Sequence, residues 1–87
     1  LADGLLIFLK RRILMIEVRL FAGLRQGRQK IYHMEPGSVN NVQDIMDVLH
    51  IERGEVNILL INGFHQKPET EVKDGDVVSL FPAVGGG

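Results

Sequence analysis

Apolar and polar positions change period several times along this chain, and each change marks an element. Ile16-Glu17-Val18-Arg19-Leu20-Phe21 alternates with a period of two, the signature of a half-buried strand, with Ile16, Val18 and Leu20 turned to a core. Ala22-Gly23-Leu24-Arg25-Gln26-Gly27 breaks the alternation and reads as a glycine-bearing loop with room for a helical turn. Lys30 to Met34 resumes an extended run, with Ile31 and His33 on one face and Tyr32 and Met34 on the other; the two runs lie close enough to pair as a hairpin. Glu35-Pro36-Gly37 ends the second strand. Proline then glycine suits the centre of a type II turn, because glycine takes the positive φ.

Ser38 is the expected N-cap of the next element. Val42, Ile45, Met46 and Leu49 recur at i, i+3, i+4 and i+7, one apolar stripe of a helix predicted over Val39 to Leu49, with Gly54 as the terminator of the connection that follows. Val56 to Ile61 is nearly continuous in apolar residues and predicts a strand buried on both sides. Asn62-Gly63 is a strong hairpin signal, with Phe64-His65-Gln66 as a short return strand that Pro68 stops. Lys73-Asp74-Gly75-Asp76 predicts a tight turn into a last strand, Val77 to Phe81. One helical stripe and one set of strands predict a two-layer α+β domain with the helix laid across the sheet.

Eighty-seven residues leave room for one small domain. Its ends differ from its body. Leu1 to Leu9 is largely apolar and Lys10-Arg11-Arg12 follows. Leu5 to Leu9 is too short to span a bilayer, and the charges lie on the wrong side of it for a signal peptide. Residues 1–14 are therefore expected to be a non-native or poorly ordered extension, with the domain over residues 15–84 and a flexible glycine tail over residues 85–87.

The net charge of −1 becomes −3 without that extension. With no basic excess and few aromatic side chains, binding to a nucleic-acid backbone or to stacked bases is disfavoured. No cysteine is present, so disulfides, thiol catalysis and thiolate metal sites are excluded, which fits a reducing cytoplasm. His33, His50 and His65 show no metal-ligand spacing, and Glu69, Glu71, Asp74 and Asp76 read better as a solvated acidic turn than as a cation loop. No glycine-rich loop opens the helix and no Ser/His/Asp set has motif support, so the interior offers no active site and no metal site is expected. What remains is the end of the chain, Leu80-Phe81-Pro82-Ala83-Val84-Gly85-Gly86-Gly87. A segment without side chains can thread a channel that any β-carbon would block.

Three stretches carry a resemblance. Glu17-Val18-Arg19-Leu20-Phe21-Ala22-Gly23-Leu24-Arg25, Ser38-Val39, and Ile61-Asn62-Gly63 with Val72-Lys73-Asp74-Gly75-Asp76-Val77-Val78 and Leu80-Phe81-Pro82-Ala83-Val84 before Gly86-Gly87 are similar to the ubiquitin-like β-grasp sulfur carriers (the MoaD/ThiS family), most of all to the small subunit of molybdopterin synthase. The resemblance covers Met15 to Gly87 and implies a β-grasp fold with a mixed sheet on one main helix. It implies a carrier rather than an enzyme. Gly87 would be adenylated by an adenylyltransferase like the ubiquitin-activating enzymes, which uses ATP, and converted to a thiocarboxylate. No cofactor would be bound by the chain itself. Gly86 and Gly85 would thread the tail into the large synthase subunit, although the family commonly has another residue at the place of Gly85. Phe81 and Val84 would dock beside the tail, with ordinary strand-end packing the competing role for Phe81. A carrier for thiamin thiazole or another sulfur pathway, a ubiquitin-like protein modifier, and an interaction module with an inert tail are the alternatives that share this outline.

Overall fold

The computed structural model describes residues 15–83. The expectations for residues 1–14, for Val84 and for Gly85, Gly86 and Gly87 lie outside the described residues.

Five strands form one mixed sheet: β1 (Ile16–Leu20), β2 (Ile31–Met34), β3 (Val56–Ile61), β4 (Phe64–His65) and β5 (Val77–Pro82), in the order β2-β1-β5-β3-β4. β1 and β2 pair antiparallel, with Ile16 opposite Met34 and Arg19 opposite Ile31, as the local hairpin predicts. β5 lies between β1 and β3, parallel to the first and antiparallel to the second. This is the ubiquitin-like β-grasp, with α1 (Val42–Val48), the one α-helix among the described residues, as its second layer.

Ile16, Val18 and Leu20 of β1 and Val78 and Leu80 of β5 are buried beside Val42, Ile45 and Met46 of α1, as the alternating and helical patterns require. Leu49 packs partly buried at the end of the same stripe. The expectation for β3 is corrected. Leu59 and Ile61 are buried on the core side, Ile58 and Leu60 are only half-buried, and Asn57 is exposed. Among the described residues one helix covers one face of the sheet, so an apolar run in β3 does not mean two covered faces.

The helix start is also corrected. Ser38 caps nothing: its amide donates to the Glu35 carbonyl (3.1 Å), closing the Pro36-Gly37 turn with Gly37 at φ +90°, and its hydroxyl donates to the same oxygen. Val39 is buried, and α1 begins three residues later with Asn41 as N-cap, its side chain accepting from the Asp44 amide at 2.9 Å. The other free amides of the first turn find tertiary acceptors. Val42 donates to the Thr70 carbonyl (3.2 Å) and Gln43 to the Pro68 carbonyl (2.8 Å), so the segment after β4 caps the helix.

At the other end the helix stops at the expected place, with Leu49 as its C-cap and His50 just beyond it. His50 has φ +56°, its amide donates to Asp47, and the Ile51 amide reaches back to Met46 (2.8 Å); these two bonds make a Schellman motif. Gly54 falls inside a short 3-10 turn, Arg53–Glu55. The two turn predictions hold: Asn62 and Gly63 have φ +52° and +85° between β3 and β4, and Asp76 donates its amide to Lys73 (3.0 Å) with Gly75 at φ +85°. Among the described residues no helix is long and apolar enough to cross a membrane.

Candidate functional site at the root of the tail

The sheet has a face away from the helix, and the strand alternation decides what lies on it. Glu17, Arg19 and Phe21 from β1 and its exit share that face with Ser79 and Phe81 of β5 and with Ile58 and Leu60 of β3. β1 and β5 run parallel, so Phe21 and Phe81 arrive at the same end of the sheet, where the chain leaves for residues 84–87. Their rings stack with centroids 4.3 Å apart and planes 9° from parallel. Such a pair contributes attraction beyond its burial.

Backbone bonds fix both sides of this corner. The Phe21 amide donates to the Leu80 carbonyl (3.2 Å), and the Ala83 amide, the last described, donates to the Glu55 carbonyl (3.2 Å). The end of β5 is thus held from the β1 side at Leu80 and from the β3 side at Ala83. Phe81 packs at the strand end, on Phe21, and is half-buried.

The loop after β1 closes over the pair. Ala22 turns the chain at φ +49°, and Ala22–Arg25 forms a 3-10 turn whose Leu24 is buried in the core. Arg25 comes back over the Phe21 ring, its Cζ 5.5 Å from the centroid, and its Nε donates to the Leu20 carbonyl at 2.7 Å. Beside this stack is a shallow cleft of about 220 Å³ lined by Arg19, Leu20, Phe21, Arg25, Lys30 and Ile31. Arg25 and Phe21 were not singled out as site residues by sequence reasoning. The available signal was the aromatic side chain of Phe21 at a position that alternation assigns to the uncovered face.

Farther along the same face, Glu17 accepts from Arg19 Nε (2.5 Å) and lies 3.5 Å from His33 Nε2. The bond from Arg19 holds the Glu17 carboxyl below its usual range, with smaller contributions from the Arg19 and His33 charges acting against partial burial. Among the described residues no group of histidine and carboxylate side chains could hold a metal ion. The acidic turn has structural duties: Asp76 accepts from Asn62 Nδ2 (2.9 Å) and from the Lys73 amide (2.8 Å), and Glu69 pairs with Arg53. Nothing in this arrangement places a nucleophile, base or oxyanion donor together. It shapes and orients the base of the terminal segment.

A β-grasp sheet that presents the end of its central strand beside an aromatic pair defines a ubiquitin-like carrier fold. The sequence model of the ThiS family matches residues 18–87, and the chain belongs to that family. Solved structures agree. The HVO 2177 protein of Haloferax volcanii is 32% identical, with 85% of this chain and 87% of that chain covered and a TM-score of 0.65. A chain of the complex of subunits 1 and 2 of molybdopterin-converting factor from Helicobacter pylori is 28% identical, with 85% and 100% covered and a TM-score of 0.57. SAMP1 of Haloferax volcanii, a small archaeal modifier protein, is 25% identical, with 84% and 99% covered and a TM-score of 0.65. No curated protein sequence matches the chain.

Proposed function

We propose that this protein is a cytoplasmic sulfur carrier whose reactive group is the carboxylate of Gly87, serving as the small subunit of a molybdopterin synthase. The observation that carries the reading is the reach of the family match. It runs through the whole glycine segment to Gly87, so the tail is part of what makes the chain a family member. The chemistry follows from what a carboxylate lacks. It resists nucleophiles, so one of its oxygens first attacks the α-phosphorus of ATP, and pyrophosphate leaves. A persulfide on the donor then attacks the acyl-adenylate carbonyl and AMP leaves, giving an acyl disulfide; a second thiol attacks the donor sulfur, forms a disulfide with it and releases the thiocarboxylate. An adenylyltransferase like the ubiquitin-activating enzymes performs the first step, and the thiocarboxylate then supplies sulfur to the dithiolene precursor in the large subunit.

In this reading Gly86 and Gly85 pass through the partner's channel, and Phe81 and Val84 dock beside its mouth. The pairing of subunits in the Helicobacter pylori complex supports a large-subunit partner. ATP is consumed by the activating enzyme, and the carrier itself binds no cofactor. A second reading, conjugation of Gly87 to lysine amines, draws support from the likeness to SAMP1.

The test is the intact mass after incubation with ATP, a sulfur donor and the activating enzyme. Exchange of one oxygen for sulfur is expected for the full chain and not for a chain lacking Gly87, whose thermal midpoint is expected to be unchanged. An unaltered mass, with the enzyme active on its own carrier, would sink the sulfur-carrier reading. Isopeptide-linked products instead would favour the modifier. Phe81→Ala is expected to weaken binding to the large subunit by about 2 kcal/mol or more, as loss of a central aromatic anchor does; titration calorimetry measures it.

A further inference from the structure

We propose that Arg25 is a positioning residue for the tail: by clamping the Phe21 ring onto Phe81, it sets the direction in which the chain leaves β5. The inference rests on the carrier reading, and it adds a residue that acts through two others. Glycine restricts the backbone least of all residues. Accuracy in delivering the Gly87 carboxyl carbon therefore draws on how firmly the residues before the glycines are fixed. The stack holds Phe81, the bond to Glu55 holds Ala83, and Pro82 between them has a ring-locked φ.

The placement of Arg25 follows from the loop. Leu24 already fills the core position of the 3-10 turn, so Arg25 is not needed there. Ala22 adopts a left-handed backbone that a β-carbon disfavours, and the reversal brings Arg25 over the end of β1. There the planar guanidinium has two uses at once. Its Nε holds the Leu20 carbonyl, and its Cζ lies over the ring of Phe21, 5.5 Å from the centroid, while that same ring stacks on Phe81. Without that cover, the Phe21 ring is free to rotate off its partner and Phe81 loses one wall. Lysine does not substitute, because it keeps the charge and lacks both the flat face and the fixed donor.

The experiment uses the full chain with Arg25→Ala, Arg25→Lys and Phe21→Leu, read in two ways. In the free protein, the aromatic proton resonances of Phe81 are expected to move toward unstacked values in all three. The methyl resonances of Val78 and Leu80 should stay in place, which separates a turned ring from a damaged core. In the activation assay, kcat for oxygen-for-sulfur exchange at Gly87 is expected to fall roughly tenfold, in the range that small misplacements of a reacting group produce, with KM little changed. Unmoved Phe81 resonances would overturn the proposal. So would a rise in KM with kcat intact, which would make Arg25 a partner contact, or full rescue by Arg25→Lys. Failure of the unmutated chain to gain sulfur would count against the carrier reading instead, and the Phe81 resonances would then decide the clamp alone.

Discussion

Among the described residues three with side chains, Ala22, His50 and Asn62, take the left-handed backbone, and each sits where the chain reverses. His50 has the least to gain from its β-carbon. Its backbone groups do the work: the amide closes the helix on Asp47, and the carbonyl accepts from Arg28 Nη2 at 3.0 Å. His50→Gly keeps both bonds and removes the steric penalty. It is expected to stabilise the fold by about 1 kcal/mol, the left-handed cost of an L-residue less the extra entropy that glycine loses, seen as a raised midpoint in urea unfolding. Glu17 predicts a pH effect of known sign. Its folded carboxyl titrates below the ordinary value of 4.5, so its contribution is present above that value and is lost as pH falls through the folded pKa. Glu17→Gln should flatten the fall of the thermal midpoint with pH in the acid range below 4.5. At this scale the buried alternation of Ile16, Val18 and Leu20 could be read directly, because a strand's period states which side chains go inward. The use made of Arg25 and Arg28 could not. Arg25 reaches a carbonyl five residues back only because the chain reverses at Ala22, and Arg28 reaches carbonyls more than twenty residues ahead.

The helix shows how an element's boundaries depend on its neighbours. Its apolar stripe at Val42, Ile45, Met46 and Leu49 was legible from spacing alone, and its start was not. Ser38 fits an N-cap by type, yet it is spent on the turn from Glu35, and the first amides of α1 go to Thr70 and Pro68, carbonyls from a segment more than twenty residues ahead. At the C-terminal end, Arg28 donates to Leu49 (3.1 Å), to His50 and to Leu24 (3.1 Å), which ties the loop after β1 to the helix end. Two substitutions measure these ends. Asn41→Ala removes the side-chain cap on Asp44 and is expected to cost about 1 kcal/mol. Arg28→Ala gives up charged hydrogen bonds to carbonyls already short of partners, with an expected cost of about 2 kcal/mol by urea unfolding. The Asn62-Gly63 turn was legible because its backbone demand is local. Its lock was not: Asn62 Oδ1 accepts from the Val77 amide (2.9 Å) while Nδ2 donates to Asp76, so two turns distant in sequence hold one another.

In the whole molecule, the first and last strands pair at the centre of the sheet. Val18 and Val78, opposite one another in β1 and β5, are both fully buried, and so are Leu20 and Leu80. The tail is therefore rooted in the most protected part of the fold, and its chemistry can be changed without touching that part only if the cut falls beyond β5. Removing residues 85–87 is expected to leave the thermal midpoint unchanged. Removing residues 80–87 deletes Leu80 and the end of the central strand and is expected to abolish the cooperative transition seen by circular dichroism, rather than merely fray an edge. By itself the sequence determined the elements, the inward faces of β1 and α1, the turns that need glycine or asparagine, and the glycine end, since all of these are set by side chains close along the chain. Only the tertiary structure decided that β5 runs parallel to β1 between it and β3, that β3 has one covered face, and that Arg25, Phe21 and Phe81 form one stack. Periodicity states that a strand has an apolar face but not which strand will lie beside it. That choice is made when the apolar faces compete to lie under α1.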